Sequence, residues 1–467
     1  MSAIPTAHER VLSTLNTDGS RRWIRPRPSK GRFYRRRLIT AWSLIALFVA
    51  LPFGRIDGKP LLLLDVPARK FIFFGKTFLP TDTFLLMLLL FGIFVGIFLV
   101  TAVFGRLWCG WACPQTVYME FLFRPLERWI EGGRNRQLEL DRTGADGRRM
   151  LKYAVFFVLS AFFGNIFLAY FVGTERLGRW IMSSPTEHPA GFLVMATVTL
   201  LMFADFTYFR EQVCLVACPY GRFQSVLLDR SSLIVGYDPK RGEPRARWRR
   251  GRSEEAGDCI DCLKCVMTCP TGIDIREGLQ MECIHCTQCI DACDAVMDKI
   301  GKPRGLIRYT SKDELETGKR RFLRPRLIVY AAILTAIFGV LGYSLASKRS
   351  ADVTVLRGLG APYTHLASGR ISNQIRLKIV NRSGEQRSYR FALRDAPAGV
   401  KLIAPENPLV VPAGSTRLTA AFVTAPPEVS ASGEYHATLH IEDGVDFTED
   451  VPLRLLGPVE HNPGGAR

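Results

Sequence analysis

Five runs with few or no charged residues, Leu38 to Gly54, Phe84 to Gly105, Leu151 to Gly173, Gly191 to Tyr208 and Leu327 to Ala346, constrain this chain more than any other feature. Each is close to the roughly 20 apolar residues an α-helix needs to cross a bilayer core. Inside a bilayer such a run has to bond its own backbone, so five transmembrane helices are expected. About 37 polar and basic residues precede the first run and no small-residue cleavage site follows it, so it reads as an anchor and not as a secretory signal peptide.

Positive charge predicts the orientation, because arginine and lysine near helix ends stay on the cytoplasmic side. Arg21, Arg22, Arg25, Arg27, Lys30, Arg32, Arg35, Arg36 and Arg37 all precede the first run, and the loops Arg106 to Arg149 and Arg210 to Arg326 are also arginine-rich. The connector Thr174 to Pro189 carries only Arg176 and Arg179. The N-terminus is therefore expected inside and the tail beyond the fifth helix outside. The formal net charge of +19 reads as this topology signal plus attraction to anionic lipid headgroups. No recognised nucleic-acid motif accompanies the arginines, which argues against that class of partner. All twelve cysteines fall on the side assigned to the cytoplasm, so disulfides are not expected.

The first external loop, Ile56 to Asp82, has apolar patches (LLLLDV, FIFFG) and is expected to lie against the membrane surface. The second helix is expected to end at Trp108 and lead into CGWACPQTVYMEFLFRPLERWIEG, where Glu120, Arg124, Glu127 and Arg128 recur at helical spacing and read as ion pairs on a surface helix. The fourth ends in ADFTYFREQVCLVACPYGRFQ, an internal repeat of that stretch. Asp205 lies inside the fourth apolar run, where an ionisable group faces the bundle interior or a polar cavity, as a proton or metal contact or as a packing group. From about Val353 the pattern alternates: IRLKIV, YRFAL, LVVPAG, TRLTAAFVTA, EYHATLHIE and TEDVPLRLL read as short strands of an all-β sandwich. Without cysteine or clustered histidine, this part reads as an interaction or stabilising module.

Between the fourth and fifth runs stands CIDCLKCVMTCP, followed after a connector by CIHCTQCIDACD. Each has the spacing C-x2-C-x2-C-x3-C, in which three thiolates wrap one cubane and the fourth reaches its neighbour. Cys259, Cys262, Cys265 and Cys293 would hold one 4Fe-4S cluster, and Cys283, Cys286, Cys289 and Cys269 the other. A pair of zinc ribbons would need two well-separated pairs and leave thiols over. Pro270 follows the first run, whereas Asp294 stands where the second would carry proline, which questions the turn there. His285 reads as a solvated loop histidine, with tuning of a redox potential as the alternative.

Both long-helix repeats finish with C-x3-C-P: Cys109, Cys113 and Pro114, then Cys214, Cys218 and Pro219. Cysteines four apart share a helix face, so two such pairs can make a four-thiolate site. Soft thiolates favour monovalent copper, zinc or an iron–sulfur cluster. Each proline biases the preceding cysteine away from helical backbone, which ends the helix and opens the thiol to the cytoplasmic edge.

Together, WCGWACPQTVYMEFLFRPLERWIEG, ADFTYFREQVCLVACPYGRFQ, the doubled four-cysteine run and the strand-rich tail beginning ISNQIRLKIVNR resemble the cytochrome c oxidase accessory proteins called CcoG, FixG or RdxA, over nearly the whole chain. The fold expected is that of a multi-domain α+β membrane protein: a five-helix transmembrane bundle with a bacterial two-cluster ferredoxin insert and a C-terminal immunoglobulin-like β-sandwich. Its parts are a basic cytoplasmic segment at 1–37, four transmembrane helices at 38–209, a cytoplasmic segment at 210–322 with the ferredoxin at about 255–300, a fifth helix at 323–347, and a periplasmic sandwich at 348–467. The resemblance implies a bacterial inner-membrane oxidoreductase that reduces divalent to monovalent copper and supports assembly of cbb-type cytochrome c oxidase. It implies Cys109, Cys113, Cys214 and Cys218 as copper contacts. A closed four-thiolate site would trap its product, so one pair is expected to bind more weakly or to move, with Met119 or Met202 as candidate handover ligands. The implied partners are the membrane, copper ions, a cytoplasmic electron donor, copper chaperones or transporters, oxidase assembly factors and a second copy of the chain. The alternative is a polyferredoxin-like, quinol-oxidising electron-transfer subunit, which the tail after a fifth helix does not fit. Alkaline phosphatase fused after Gly457 is expected to be active, and fused after Arg250 inactive; the reverse pattern would overturn the orientation.

Overall fold

A computed structural model of the chain describes residues 13–459 other than 17, 57, 67–69, 75, 79–82, 145, 248–255, 320–323, 348, 359 and 431. Part of the loop between the first and second spans and part of the basic stretch after Lys240 lie outside the described residues. The chain folds as two compact units, Met1–Leu341 and Gly342–Arg467.

Among the described residues five helices are long and apolar enough to cross a membrane: Arg32–Phe53, Thr83–Phe104, Gly147–Val172, Pro189–Phe209 and Pro325–Ala346. Leu90, Phe94, Leu200 and Ile328 are exposed on their outer faces, as suits helices solvated by lipid. The first and third spans are joined by Tyr170, whose hydroxyl donates to the Phe48 carbonyl at 2.7 Å. The third and fourth meet through Tyr153 and Phe157 against Phe203, and the second and fifth through Phe98 against Tyr330. The first span starts at Arg32, ahead of its apolar run, because Asp291 of the cysteine-rich insert accepts the backbone N–H groups of Phe33 (3.2 Å) and Tyr34 (2.7 Å). A carboxylate bonded to these otherwise unpaired groups stabilises a helix N-terminus that carries cationic side chains. The apolar patches of the loop between the first and second spans are strands, Leu62–Asp65, Lys70–Phe73 and Lys76–Phe78, in one antiparallel sheet.

The insert is closed by two strands, Ile234–Tyr237 and Ile307–Thr310, paired antiparallel so that Ile234 faces Thr310. They bracket both cysteine runs, so the compact fold around the cysteines reaches beyond residues 255–300. Helix Lys264–Met267 follows the first run's bend and helix Gln288–Lys299 follows the second's. The first stops before Pro270. The second continues through Cys293 and Asp294, because no proline interrupts it, and Asp294 accepts the Gly305 N–H at 3.0 Å. The missing proline thus lengthens a helix where a turn was in question.

Two expectations about charge are corrected. Glu120, Arg124 and Glu127 are buried and make no surface ion pairs, and Arg25 and Arg37 are buried as well. Glu127, 2% exposed, accepts from Arg25 (2.6 Å) and Arg210 (2.8 and 3.0 Å) and lies 3.5 Å from the Lys152 ammonium. Burial alone would raise its carboxyl, but Arg210, Arg25 and Lys152 hold it well below the usual carboxylate range. The basic segment before the first span is therefore partly core: Arg25 also bonds Asp141, and the Arg27 backbone exchanges hydrogen bonds with Met267 and Thr268 of the insert.

The second unit is an immunoglobulin-like sandwich of two antiparallel sheets. One runs Lys401–Ile403, Thr416–Ala425, Ile371–Asn381, Ala351–Arg357, and the other Leu409–Val411, Arg387–Arg394, Ser432–Glu442, Thr448–Val459. Leu377, Ile379, Val411, Val423, Leu439 and Ile441 from both sheets form a hydrophobic core. Asn373 ties the sheets together, donating to the Leu456 carbonyl and accepting the Leu456 N–H, both at 2.9 Å.

Removing one member of a buried charge cluster leaves the others uncompensated. Glu127→Ala is expected to cost about 3–5 kcal/mol, read as a lower unfolding midpoint in nanodiscs. Arg142→Ala, at an exposed position, should stay within about 0.5 kcal/mol.

Candidate functional site

Both cysteine runs adopt the same bend. Asp261 (φ 48°) and Leu263 (φ 56°) flank Cys262, and His285 (φ 54°) and Thr287 (φ 60°) flank Cys286, all in the left-handed region. Such a backbone costs a non-glycine residue about 1–2 kcal/mol each, so its repetition at matching positions points to a shape the site demands. The bend turns successive sulfurs towards one hollow. One hollow is lined by Cys259, Cys262, Cys265 and Cys293. A second is lined by Cys269, Cys283, Cys286 and Cys289, with Cys265 on its shared side.

Among the described residues no three His, Cys, Asp or Glu side chains approach closely enough to hold a single metal ion. Sulfurs that ring a hollow suit a cubane and not a zinc ribbon, which needs ligands converging on one point. Burial pushes the thiols of Cys283, Cys286 and Cys293 up to about 12. Metal-free, they are neutral, and metal binding must release their protons.

The second span ends at Phe104, short of the expected Trp108. Gly105 (φ +59°) turns the chain where a Cβ would come within 2.2 Å of the Leu233 carbonyl oxygen, which only glycine permits. A new short helix, Leu107–Trp111, carries Cys109, while Cys113 sits beyond it in extended backbone (φ −61°, ψ 126°) before Pro114. Cys214 lies in a π-helical turn, Val213–Ala217, and Cys218 is again extended (φ −74°, ψ 111°) before Pro219. The thiol pairs thus straddle helix ends and do not line one face of continuous helices.

The residue after each Cys-Pro reaches across to the other motif's span. Gln115 donates to Asp205 (2.8 Å) and the Arg210 carbonyl (3.1 Å), and the Tyr220 hydroxyl lies 3.3 Å from that of Thr101. Gln224 accepts from Cys109 Sγ (3.1 Å) and Arg106 (3.3 Å). The four half-buried thiols share one neighbourhood. Burial pushes Cys109 up to about 11, against the nearby Arg106 cation, with Cys113 and Cys218 adding to the rise. Cys214 is raised by burial and then by Cys113, Cys109 and Cys218. Asp205 is bonded to Gln115 and its charge reaches both Cys113 and Cys214, so it belongs to the thiol neighbourhood. Met119 is buried in the aromatic core with Phe123 and Phe206, whose rings stack at 4.1 Å, and Met202 packs against that same cluster.

The thiol helix lies directly on the second cavity. A Cβ on Gly110 would stand 2.5 Å from the Ile284 carbonyl oxygen and 2.9 Å from Cys286 N and Cα. Arg37 donates to the Gly110 carbonyl (2.9 Å), and Trp111 donates to Tyr309 (3.0 Å), which bonds the His285 carbonyl (3.3 Å). Sequence reasoning missed Gly110, Gln115, Gln224 and Arg37; the only signal was that the first three sit within or just past the Cys-Pro repeats. His285, expected in solvent, is 1% exposed, its Nδ1 accepting the Arg106 N–H at 3.2 Å, and burial with the Arg106 charge lowers it to about 3.

Three family profiles match the chain: a 4Fe-4S binding domain over residues 86–135, a 4Fe-4S dicluster domain over 209–312, and an Ig-like fold at the C-terminus of FixG over 341–458. Protein RdxA of Cereibacter sphaeroides is 38% identical over 428 residues, 86% of this chain and 89% of that protein. The nitrogen fixation protein FixG of Rhizobium meliloti is 32% identical over 486 residues, 92% of each. A crystal structure of a FixG-related protein from Vibrio parahaemolyticus aligns with 24% of this chain and 100% of its own, at 18% identity and a TM-score of 0.22.

The Gly110 contact leaves no room for a side chain. Gly110→Val is expected to raise hydrogen exchange at 107–113 and 284–286 together, with the third and fourth spans unaffected; unchanged protection at both segments would contradict the close packing.

Proposed function

Because this chain belongs to the FixG/RdxA family of membrane iron–sulfur electron-transfer proteins, we propose that it reduces divalent copper to the monovalent ion at Cys109, Cys113, Cys214 and Cys218. The single observation that carries this is the seating of the Cys109 helix on the Ile284–Cys286 backbone through Gly110, which puts a soft-ligand site beside a cysteine-ringed cavity. Cys259, Cys262, Cys265 and Cys293 hold one 4Fe-4S cluster and Cys269, Cys283, Cys286 and Cys289 the other. When bound, these groups supply one-electron transfer.

The chain's own contribution is selectivity. Thiolates prefer monovalent copper, so they bind the product of Cu²⁺ + e⁻ → Cu⁺ more tightly than the substrate and favour the reduced ion. The four thiols share a neighbourhood without converging on one point, which supports capture by part of the set and an open route for release. In this reading the chain sits in the bacterial inner membrane with the insert on the cytoplasmic side and the sandwich on the periplasmic side, and it supports copper delivery to cbb-type oxidase assembly. The arginine asymmetry about the spans supports that orientation.

The match of a 4Fe-4S binding profile to residues 86–135, which contain Cys109 and Cys113, favours a second reading in which the four thiols hold a further cluster. Metal analysis separates the two: the copper reading expects about eight iron atoms per chain, the second about twelve. With the protein reduced anaerobically and divalent copper added, monovalent copper should form quickly in wild type and more slowly in a Cys109→Ala, Cys214→Ala double variant. Equal rates in the two proteins would overturn the assignment of these thiols.

A further inference from the structure

The two cysteine-ringed hollows differ in the charges set beside them. Arg37, from the first span, is fully buried, and its Nε donates to the carbonyl of Gly110, which packs on the Cys286 backbone. Its Nη1 and Nη2 are buried without a hydrogen-bond partner, and the Phe121 ring centre lies 5.1 Å from the guanidinium carbon. Burial raises the Cys286 thiol, and Arg37 is the foremost charge opposing that rise. Glu120, whose charge also reaches Cys286, is itself bonded by Arg124 and Gln288. Arg106 acts in the same sense on Cys283, likewise raised by burial. Among the described residues the Arg106 guanidinium bonds neutral groups alone, Gln224 and the carbonyls of Gly221 and Met281.

The first hollow has cations too, but each carries its own acid. Burial raises Cys265 and Cys293, opposed by Arg276 and Arg241 respectively. Arg276 is paired with Asp261 and with Asp274, both at 2.6 Å, and Arg241 with Asp258 at 2.6 Å. Such pairs are nearly neutral at a distance, whereas Arg37 and Arg106 present whole charges to the second hollow. A desolvated cation without a counter-ion is costly, and the thiolates of a bound cluster would supply one. Net charge nearby helps to set the potential of an iron–sulfur cluster. Reduction adds a negative charge, which an unpaired cation in dry surroundings stabilises.

We propose that Arg37 and Arg106 give the cluster of the second hollow the higher reduction potential, so that an electron entering the insert comes to rest beside the Cys109 helix. This rests on the assignment of eight cysteines to two clusters and not on the copper reading.

The test is a potentiometric titration of the cluster-loaded full chain in nanodiscs, with dithionite as reductant and electron paramagnetic resonance as readout. Wild type should show two one-electron couples at separate midpoints. Arg37→Gln should lower the higher midpoint by about tenfold in its reduction equilibrium, about 59 mV for one electron, and leave the lower in place. Arg37→Lys, which keeps the charge, should restore most of that shift. Asp261→Asn, which tolerates the left-handed backbone there and frees Arg276 of one acid, should raise the lower midpoint by about threefold. A single shared midpoint in wild type, an unmoved higher midpoint in Arg37→Gln, a fall in the lower one instead, or no recovery in Arg37→Lys would each overturn the proposal. If Arg37→Gln loses iron, Asp261→Asn decides: a raised lower midpoint supports the proposal and an unmoved one overturns it. Wild type that binds no iron would refute the cluster assignment itself, and this ordering with it.

Discussion

The insert side of the molecule is organised around one buried carboxylate. Glu127 gathers Arg25 from the segment before the first span, Lys152 from the third span and Arg210 from the end of the fourth, and so fixes three distant stretches with a single charge. Such a cluster is stable only when complete, because each desolvated ion depends on the others for compensation. Around it, Arg124 bonds Glu120 and Glu211 and reaches the Pro270 carbonyl, while Gln288 donates to Glu120 at 3.1 Å. Charge packing beside the spans is thereby continuous with the fold of the insert.

Much of this was legible in sequence. The five spans declare themselves by apolar length, and the sandwich by alternation and turn residues. The two cysteine runs place their sulfurs around two hollows in a crossed pattern that spacing alone suggests. What escaped was anything decided by a partner far along the chain. Arg25 and Arg37 look like flanking charge until Glu127 and the Gly110 carbonyl are seen beside them. Asp291 looks like one acid in a cysteine run, yet it caps the first span. His285 is one residue among cysteines, and only the approach of Arg106 from the second span's end accounts for its burial.

Helix endings were the other blind spot. Propensity gives no warning that the second span stops at Gly105, since what requires glycine there is the Leu233 carbonyl pressed against it. The π-helical turns at Met119–Phe123, Asp205–Phe209 and Val213–Ala217 cluster around the thiol motifs and Asp205, and such turns frequently mark functional sites. The four-residue spacing of cysteines did not translate into one thiol-bearing stripe because Cys113 and Cys218 are both extended before a proline, and only Cys214 sits in one of these turns.

The strand pair that closes the insert has an architectural consequence. Because Ile234–Tyr237 lies antiparallel to Ile307–Thr310, the chain enters and leaves the cysteine-bearing fold at neighbouring points, one strand spacing of about 4.8 Å apart. A segment with adjoining ends can lengthen, shorten or be exchanged between the fourth and fifth spans without prying those spans apart, as domain insertions elsewhere do. The membrane bundle therefore holds its electron-carrying cargo like a bead on a clasp. The clasp tolerates replacement, while the fit against Gly110 and the first span decides whether a replacement is wired in.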